Sequence, residues 1–289
     1  MSKPILRWTI GNVHGSRGYE ILNLSIQRIL DLYADEFNYY VCYNCKSNPK
    51  LDLIQKKYPN VQFVKQKWEN CALPILFTGD NVTYEKGQKV NGSLWKICPA
   101  RLDINTHELI LDNDLVFTKR PKLIEEFLAG NKNLIIRDSN FYMGRYADFF
   151  EENISGFNSG VMGLRPKYDF KEEILKTWHG DHHFDYGDEQ GLLMATLIKE
   201  PCLIGDSEEF IGIHPDHVYL NCIPNDILSE EHKEIKTHDK NFQIGFNLDL
   251  LDILFYRGSV IHFLQSNRSL HHIAWDYFKQ KNVKITTFV

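Results

Sequence analysis

Glu108-Leu109-Ile110-Leu111-Asp112-Asn113-Asp114-Leu115-Val116-Phe117 sets two carboxylates one residue apart between apolar runs. A buried strand continuing through them would carry two unpaired charges into the core, at a cost the flanking leucines do not offset. The strand is therefore predicted to end at Leu111, with the acidic pair projecting from its C-terminal edge, where open α/β sheets bind ligands. Hard oxygen ligands at that edge suit Mn²⁺ or Mg²⁺, and such an ion would bridge the two phosphates of a nucleotide diphosphate. The plain alternative is an acidic β-turn, since Asp and Asn are favoured turn residues.

Upstream of this segment, strand and helix patterns alternate. Ile5 to Ile10 is a short apolar strand, and a loop with Gly11, Gly15 and Gly18 leads into a helical stripe of Ile21, Leu24, Ile29 and Leu32. Tyr39 to Tyr43 is a second strand, Leu51 to Tyr58 a helix, Val61 to Val64 a third strand, Leu94 to Leu102 a helix, and Leu109 to Leu111 a fourth strand. Strands separated by helices imply right-handed crossovers, hence an α/β fold with a mixed, mostly parallel sheet covered by helices on both faces. Beyond residue 115 the pattern mixes: helices at Pro121 to Leu128, Phe170 to Trp178 and Gln190 to Ile198, and strands at Leu134 to Ile136 and Val161 to Leu164. The polar stretch from Asp206 to Asn241 is expected to be mobile surface. No repeat or Gly/Ser linker marks a boundary, so one domain over 1–289 is expected, with a nucleotide-binding half to about residue 120 and a sugar and acceptor half from 121 to 289.

A net charge of -5 over 289 residues gives no basic footprint for nucleic acid, so small molecules or glycans are the expected partners. The N-terminus lacks the apolar run of a signal peptide, and no stretch reaches the roughly 18 apolar residues of a membrane span, which places the protein in the cytoplasm. Six cysteines spread along the chain are expected to be reduced, and Cys42 with Cys45 has no second pair at zinc-ligand spacing.

Val260-Ile261-His262-Phe263-Leu264 puts one histidine inside a short apolar strand, where imidazole needs a partner. Such a residue is commonly a satisfied core histidine. Next to a carboxylate pair seeking a cation, it becomes a third ligand, which makes Asp112, Asp114 and His262 the candidate metal set.

Four blocks in order resemble the retaining glycosyltransferases of family 8, the glycogenins and bacterial lipooligosaccharide galactosyltransferases. Trp95-Lys96-Ile97 resembles the family's T-K-L, with Lys96 preceding Asp112 by the same offset as in glycogenins. Asp112-Asn113-Asp114 resembles the D-x-D, and Phe157-Asn158-Ser159-Gly160-Val161 the F-N-[SA]-G-V block bordering the donor sugar. His262-Phe263-Leu264-Gln265-Ser266-Asn267-Arg268 resembles H-[FY]-x-G-x-x-K, with Gln265 where the family has Gly and Arg268 where it has Lys.

The resemblance implies a GT-A fold and a metal-dependent hexosyltransferase using Mn²⁺ or Mg²⁺ and a UDP-sugar donor, with glucose or galactose transferred and configuration retained. It implies that Ile10, Gly11, Asn12 and Val13 receive base and ribose, that Lys96 and Arg268 serve the donor site, and that Asp138 bonds sugar hydroxyls. Asn113 and Ser159 are carried over as donor contacts with their blocks, while the Asn158 amide suits sugar hydroxyls. The family's D-Q near the reacting carbon corresponds to Glu189-Gln190, preceded by Asp188. Plain readings stand beside these: Lys96 as a solvated helix lysine, Asp138 as a partner of Arg137, and Asp188 as a helix cap. The doublets His182-His183 and His271-His272 diverge along their elements and are poor chelators.

The acceptor stays open among a lipid-linked glycan, a polysaccharide and a protein, and with it peripheral contact with a membrane; the oligomeric state is open too. A sugar nucleotidyltransferase would need a longer Gly-rich basic loop after the first strand, and a non-catalytic glycan or nucleotide-binding module would not need the acidic pair, His262 and Glu189 together.

Overall fold

The structure is a computed structural model, and it describes residues 2–10, 17–44, 48–73, 96–137, 143–150, 157–180, 187–206, 209–213, 217–219, 223, 225–238, 242–245, 248–263 and 280. Gly11, Asn12, Val13, Trp95, Asp138, Arg268, Cys45 and both histidine doublets lie outside these residues.

Seven strands form the main sheet: β1 (Ile5–Ile10), β2 (Asn38–Tyr43), β3 (Val61–Lys65), β4 (Glu108–Leu111), β6 (Asn133–Arg137), β7 (Phe157–Leu164) and β8 (Cys202–Gly205), in the order β3-β2-β1-β4-β7-β6-β8. Only β7 runs against its neighbours β4 and β6; the other pairings within this sheet are parallel. The expected mixed, mostly parallel sheet is what forms. Its order reverses direction between β1 and β4, because β2 and β3 build outward on one side and the later strands on the other, and such a switch point opens a crevice at the C-terminal strand ends.

Side chains alternate along the central strands and build two layers of core. Leu109, Leu111, Leu134 and Ile136 pack with α1 (Arg17–Tyr33), α2 (Pro49–Lys57) and α3 (Lys122–Ala129). Ile110, Ile135 and Met162 pack with α4 (Phe170–Thr177) and α5 (Asp188–Ile198) on the other face. Local signals start the helices where expected. Asn48 accepts from the Lys50 amide at the head of α2 and Asp169 from Glu172 at the head of α4. Pro121 at the head of α3 has no side-chain acceptor, and Glu209 takes the amides of Lys122 and Leu123 at 2.9 and 3.1 Å instead.

A second sheet joins β5 (Leu115–Phe117), β12 (Val260–Phe263) and β9 (Phe210–Ile213) in the order β5-β12-β9. A small antiparallel pair, β10 (His217–Tyr219) with β11 (Gln243–Gly245), and the helices α6 (Glu230–His238) and α7 (Leu248–Arg257) complete the described elements.

Two expectations are corrected. Residues 96–102 form a 3-10 turn and bends, not a helix. Pro99 has no amide to donate and biases Cys98 away from helical geometry, and Arg7 takes the carbonyls of Lys96 and Pro99 as acceptors. The stretch from Asp206 to Asn241, expected as mobile surface, contains β9, whose four residues are all buried, as well as β10 and α6. Three apolar side chains and a glycine in a polar neighbourhood are too short a run to stand out. Cys42 lies buried in β2, where burial pushes its thiol pKa up. No helix among the described residues is long and apolar enough to cross a membrane.

On the face of β1 and β4 that carries Ile110 sits a charged knot. Arg7 and Glu108 are both 0% exposed, with Arg7 Nε 2.9 Å from Glu108 Oε1 and Arg101 Nε 3.3 Å from Oε2. Removing one partner of a buried pair leaves uncompensated charge, so Glu108→Ala is predicted to lower unfolding free energy by about 3–5 kcal/mol. Urea denaturation checks this, and a loss under about 1 kcal/mol would mean the cluster is solvated in solution.

Candidate active site

The strand β4 ends at Leu111, as the acidic pair required, and Asp112-Asn113-Asp114 turns from the main sheet into β5 of the second sheet. Because β12 pairs with β5 antiparallel, His262 stands opposite Leu115, one residue past Asp114. Two backbone bonds pin the turn: Asp112 N donates to Gly160 O at 2.8 Å, and Phe263 N donates to Asp114 O at 3.0 Å. Residues 150 positions apart are thereby brought together. His262 Nε2 lies 3.4 Å from Asp114 Oδ1 and 3.9 Å from Asp112 Oδ2, and one ligand atom from each of the three falls within 4.8 Å of the others.

The close approach of His262 depends on Gly160. A Cβ there would meet His262 Cε1 at 2.5 Å and Nδ1 at 2.9 Å. The β7 strand is also irregular here: Met162 pairs with Ile135, yet Asn158 pairs with Ile136, so residues between them bulge out of the ladder with β6. Bulges re-aim side chains. Asn158 Oδ1 accepts from Gly160 N at 2.6 Å across the bulge, and Ser159 turns toward Lys96.

Lys96 is the cation at the centre. Its Nζ lies 2.9 Å from Asp112 Oδ2, donates to Ser159 Oγ at 2.7 Å, and stands 3.8 Å from Glu189 Oε1. Burial works against the ammonium, but attraction from Asp112, Glu189 and Asp114 outweighs it and holds the pKa above the ordinary lysine value. For Asp112 burial dominates and pushes the carboxyl up, aided by Asp114 and opposed by Lys96 and His262. The acidic pair thus leaves the strand without leaving the protein: the Asp112 side chain is only 20% exposed.

At the head of α5, Glu189 and Gln190 face this cluster. Ser159 Oγ approaches Glu189 Oε1 at 3.5 Å, and Ser159 N donates to Gln190 Oε1 at 3.3 Å. Gln190 Nε2 is buried and has no acceptor among the described residues, a donor suited to a ligand oxygen. Asp188 is turned elsewhere. Its Oδ1 accepts from Arg145 N and its Oδ2 from Arg145 Nε, both at 2.8 Å, so it caps the 3-10 turn of Gly144–Phe149 and not its own helix, whose N-cap is Gly187. Gly144, at φ +54, makes room for that carboxylate.

The remaining expected site residues are placed as follows. Asn113 Nδ2 donates to Gly18 O at 3.1 Å, tying the turn to the start of α1. Ile10 ends β1 beside the switch point, and its carbonyl accepts from Asn44 N. Two contributors were not read from the sequence: Arg145, whose partner Asp188 is far along the chain, and Arg7, whose charge inside an apolar strand was the available signal.

Comparison with protein-family models finds no match, and comparison with curated protein sequences finds none either. Similarity lies in the fold. The chain aligns over 99% of its length with 97% of the galactosyltransferase LgtC, solved with donor and acceptor sugar analogues, at TM-score 0.52 and 12% identity. An active-site mutant of LgtC gives TM-score 0.51 at 12% identity, over 94% of this chain and 95% of that one. The bifunctional glycosyltransferase WbbM gives TM-score 0.52 at 12% identity over 96% of this chain, which spans 51% of WbbM. The fold is the GT-A fold of nucleotide-sugar glycosyltransferases.

Gly160→Ala is predicted to displace the His262 ring while leaving the sheet paired, because the close contacts are with the side chains of His262 and Asn158 and not with backbone. Proton NMR of the histidine resonances should show His262 shifted with little change in melting temperature, and an unmoved resonance would mean the bulge absorbs the methyl group.

Proposed function

We propose that this chain is a metal-dependent glycosyltransferase that moves a hexose, glucose or galactose, from a UDP-sugar to a glycan, lipid-linked or protein acceptor with retention of configuration. The observation that carries this is the convergence of Asp112, Asp114 and His262 at the switch-point crevice of a GT-A fold. Two carboxylates and one imidazole form a borderline-hard donor set that suits Mn²⁺ or Mg²⁺ and leaves coordination positions for phosphate oxygens. When bound, the ion would neutralise charge on the leaving diphosphate.

The chain's own residues supply the rest. Base and ribose are assigned by the resemblance to Ile10, which ends β1 beside β4, and to Gly11, Asn12 and Val13. Lys96 offsets the charge of Asp112 and Glu189 and fixes the Ser159 hydroxyl. Asn158, Ser159 and the unspent Gln190 amide border the sugar. Since Asp188 is held by Arg145, Glu189 is the carboxylate left to face the reacting carbon, either from the far side of the sugar or by orienting attack on the side UDP leaves. Asp138 and Arg268 join the donor site through the resemblance alone.

Asp114→Ala is predicted to abolish metal-assisted UDP binding in calorimetry; unchanged affinity with Mn²⁺ present would take Asp114 out of the site. Glu189→Gln should keep UDP affinity while turnover falls by about 100-fold or more, because its contacts are made at the sugar and not the diphosphate. Full turnover in that variant would exclude a role at the reacting carbon.

A further inference from the structure

We infer that Arg7 is a positioning residue for Lys96, so that a buried guanidinium beneath the site sets the geometry of the cation within it; this rests on the glycosyltransferase reading above. A fully buried arginine in a central strand is costly, and an aliphatic residue would fill β1 more simply. What Arg7 binds accounts for it. Nη1 donates to Pro99 O at 2.6 Å and Nη2 to Lys96 O at 3.2 Å, while Nε makes a bent ion contact with Glu108 at 2.9 Å.

The aligned bonds of the fork therefore go to the segment that carries Lys96. That segment is a 3-10 turn followed by bends, with no ladder to hold its carbonyls. Its far end is tied to the same knot, since Leu102 N donates to Glu108 Oε2 at 3.0 Å. Glu108 in turn shares a face with Ile110 on β4, the strand that leads into Asp112, and Arg7 pairs with Ile110 in register. Arg7 and Glu108 thus hold the Lys96 backbone at a distance from Asp112 that the sheet itself fixes.

Lysine has a flexible four-carbon stem, and holding Nζ within 2.9 Å of both Asp112 and Ser159 requires an anchored backbone. Losing the anchor need not unfold the segment, because Ala72 N still donates to Ile97 O and Cys98 Sγ to Lys67 O.

The test uses the double variant Arg7→Met with Glu108→Met, which removes both charges together and leaves Arg101 its four carbonyl acceptors. The expected result is a folded protein whose kcat falls about 100-fold, the scale set by a misplacement near 1 Å, with donor KM within a few-fold. Arg7→Lys should recover part of the loss. Adding Lys96→Met to the double variant should cost nothing further, since both changes act on the same ammonium. Unchanged kcat in the folded double variant, or losses that multiply with those of Lys96→Met, would overturn the inference. Crystal structures of wild type and double variant decide it without activity: Lys96 Nζ displaced from Asp112 and Ser159 supports it, and Nζ in place refutes it. Absence of turnover of any UDP-sugar by the wild type would instead refute the glycosyltransferase reading.

Discussion

The turn Asp112-Asn113-Asp114 must satisfy two sheets at once. Its first residue leaves the centre of the main sheet and its last enters β5 of the second, and each end is held by a backbone bond to a different strand, Gly160 in β7 and Phe263 in β12. A one-residue slip in either sheet would turn a carboxylate away from the crevice. The position of His262 follows from the same constraint, because its strand pairs with the strand the turn begins. Gly160 is small because two elements meet where its side chain would be.

Charge is the second condition on that turn. Among the described residues three carboxylates, Asp112, Asp114 and Glu189, gather with the Lys96 ammonium and the His262 ring in a place of little solvent. A divalent cation, if bound as proposed, would share the attraction of the two aspartates with Lys96. The ion pair of Arg145 and Asp188 lies beside this group but serves a different end, locking α5 to the turn of Gly144–Phe149 so that Glu189 and Gln190 are presented from a fixed helix start. Arg7 and Glu108 do the same for Lys96 from below.

Much of the central sheet was legible because most strands are short apolar runs between turn residues, and α2 and α4 carry side-chain caps of their own. The end of β4 was legible from cost alone, since two aspartates do not continue a buried strand. Residues 94–102 misled because Leu94, Ile97 and Cys98 fall at helical spacing, while the contacts that hold the carbonyls of Lys96 and Pro99 come from Arg7, far away in the chain. The strand β9 was hidden by the polar sequence around Phe210–Ile213. Of the site, Asp112 and Asp114 could be singled out from local pattern, whereas Lys96 and Glu189 became candidates only through resemblance to a family. Their convergence is a product of topology, which no local pattern carries. Asp188 shows the limit in the other direction: its place at a helix start suggested a cap, and it caps a neighbouring turn instead.

In the proposed function a divalent cation is held jointly by the protein and by the diphosphate of the donor. Crystals grown with Mn²⁺ and UDP, measured at the manganese absorption edge, test this most directly. A single anomalous peak among Asp112 Oδ, Asp114 Oδ and His262 Nε2, with both phosphates on its open side and the uracil over the end of β1, is the predicted result. UDP bound in the crevice with no manganese between those three side chains, or manganese bound elsewhere, would contradict it.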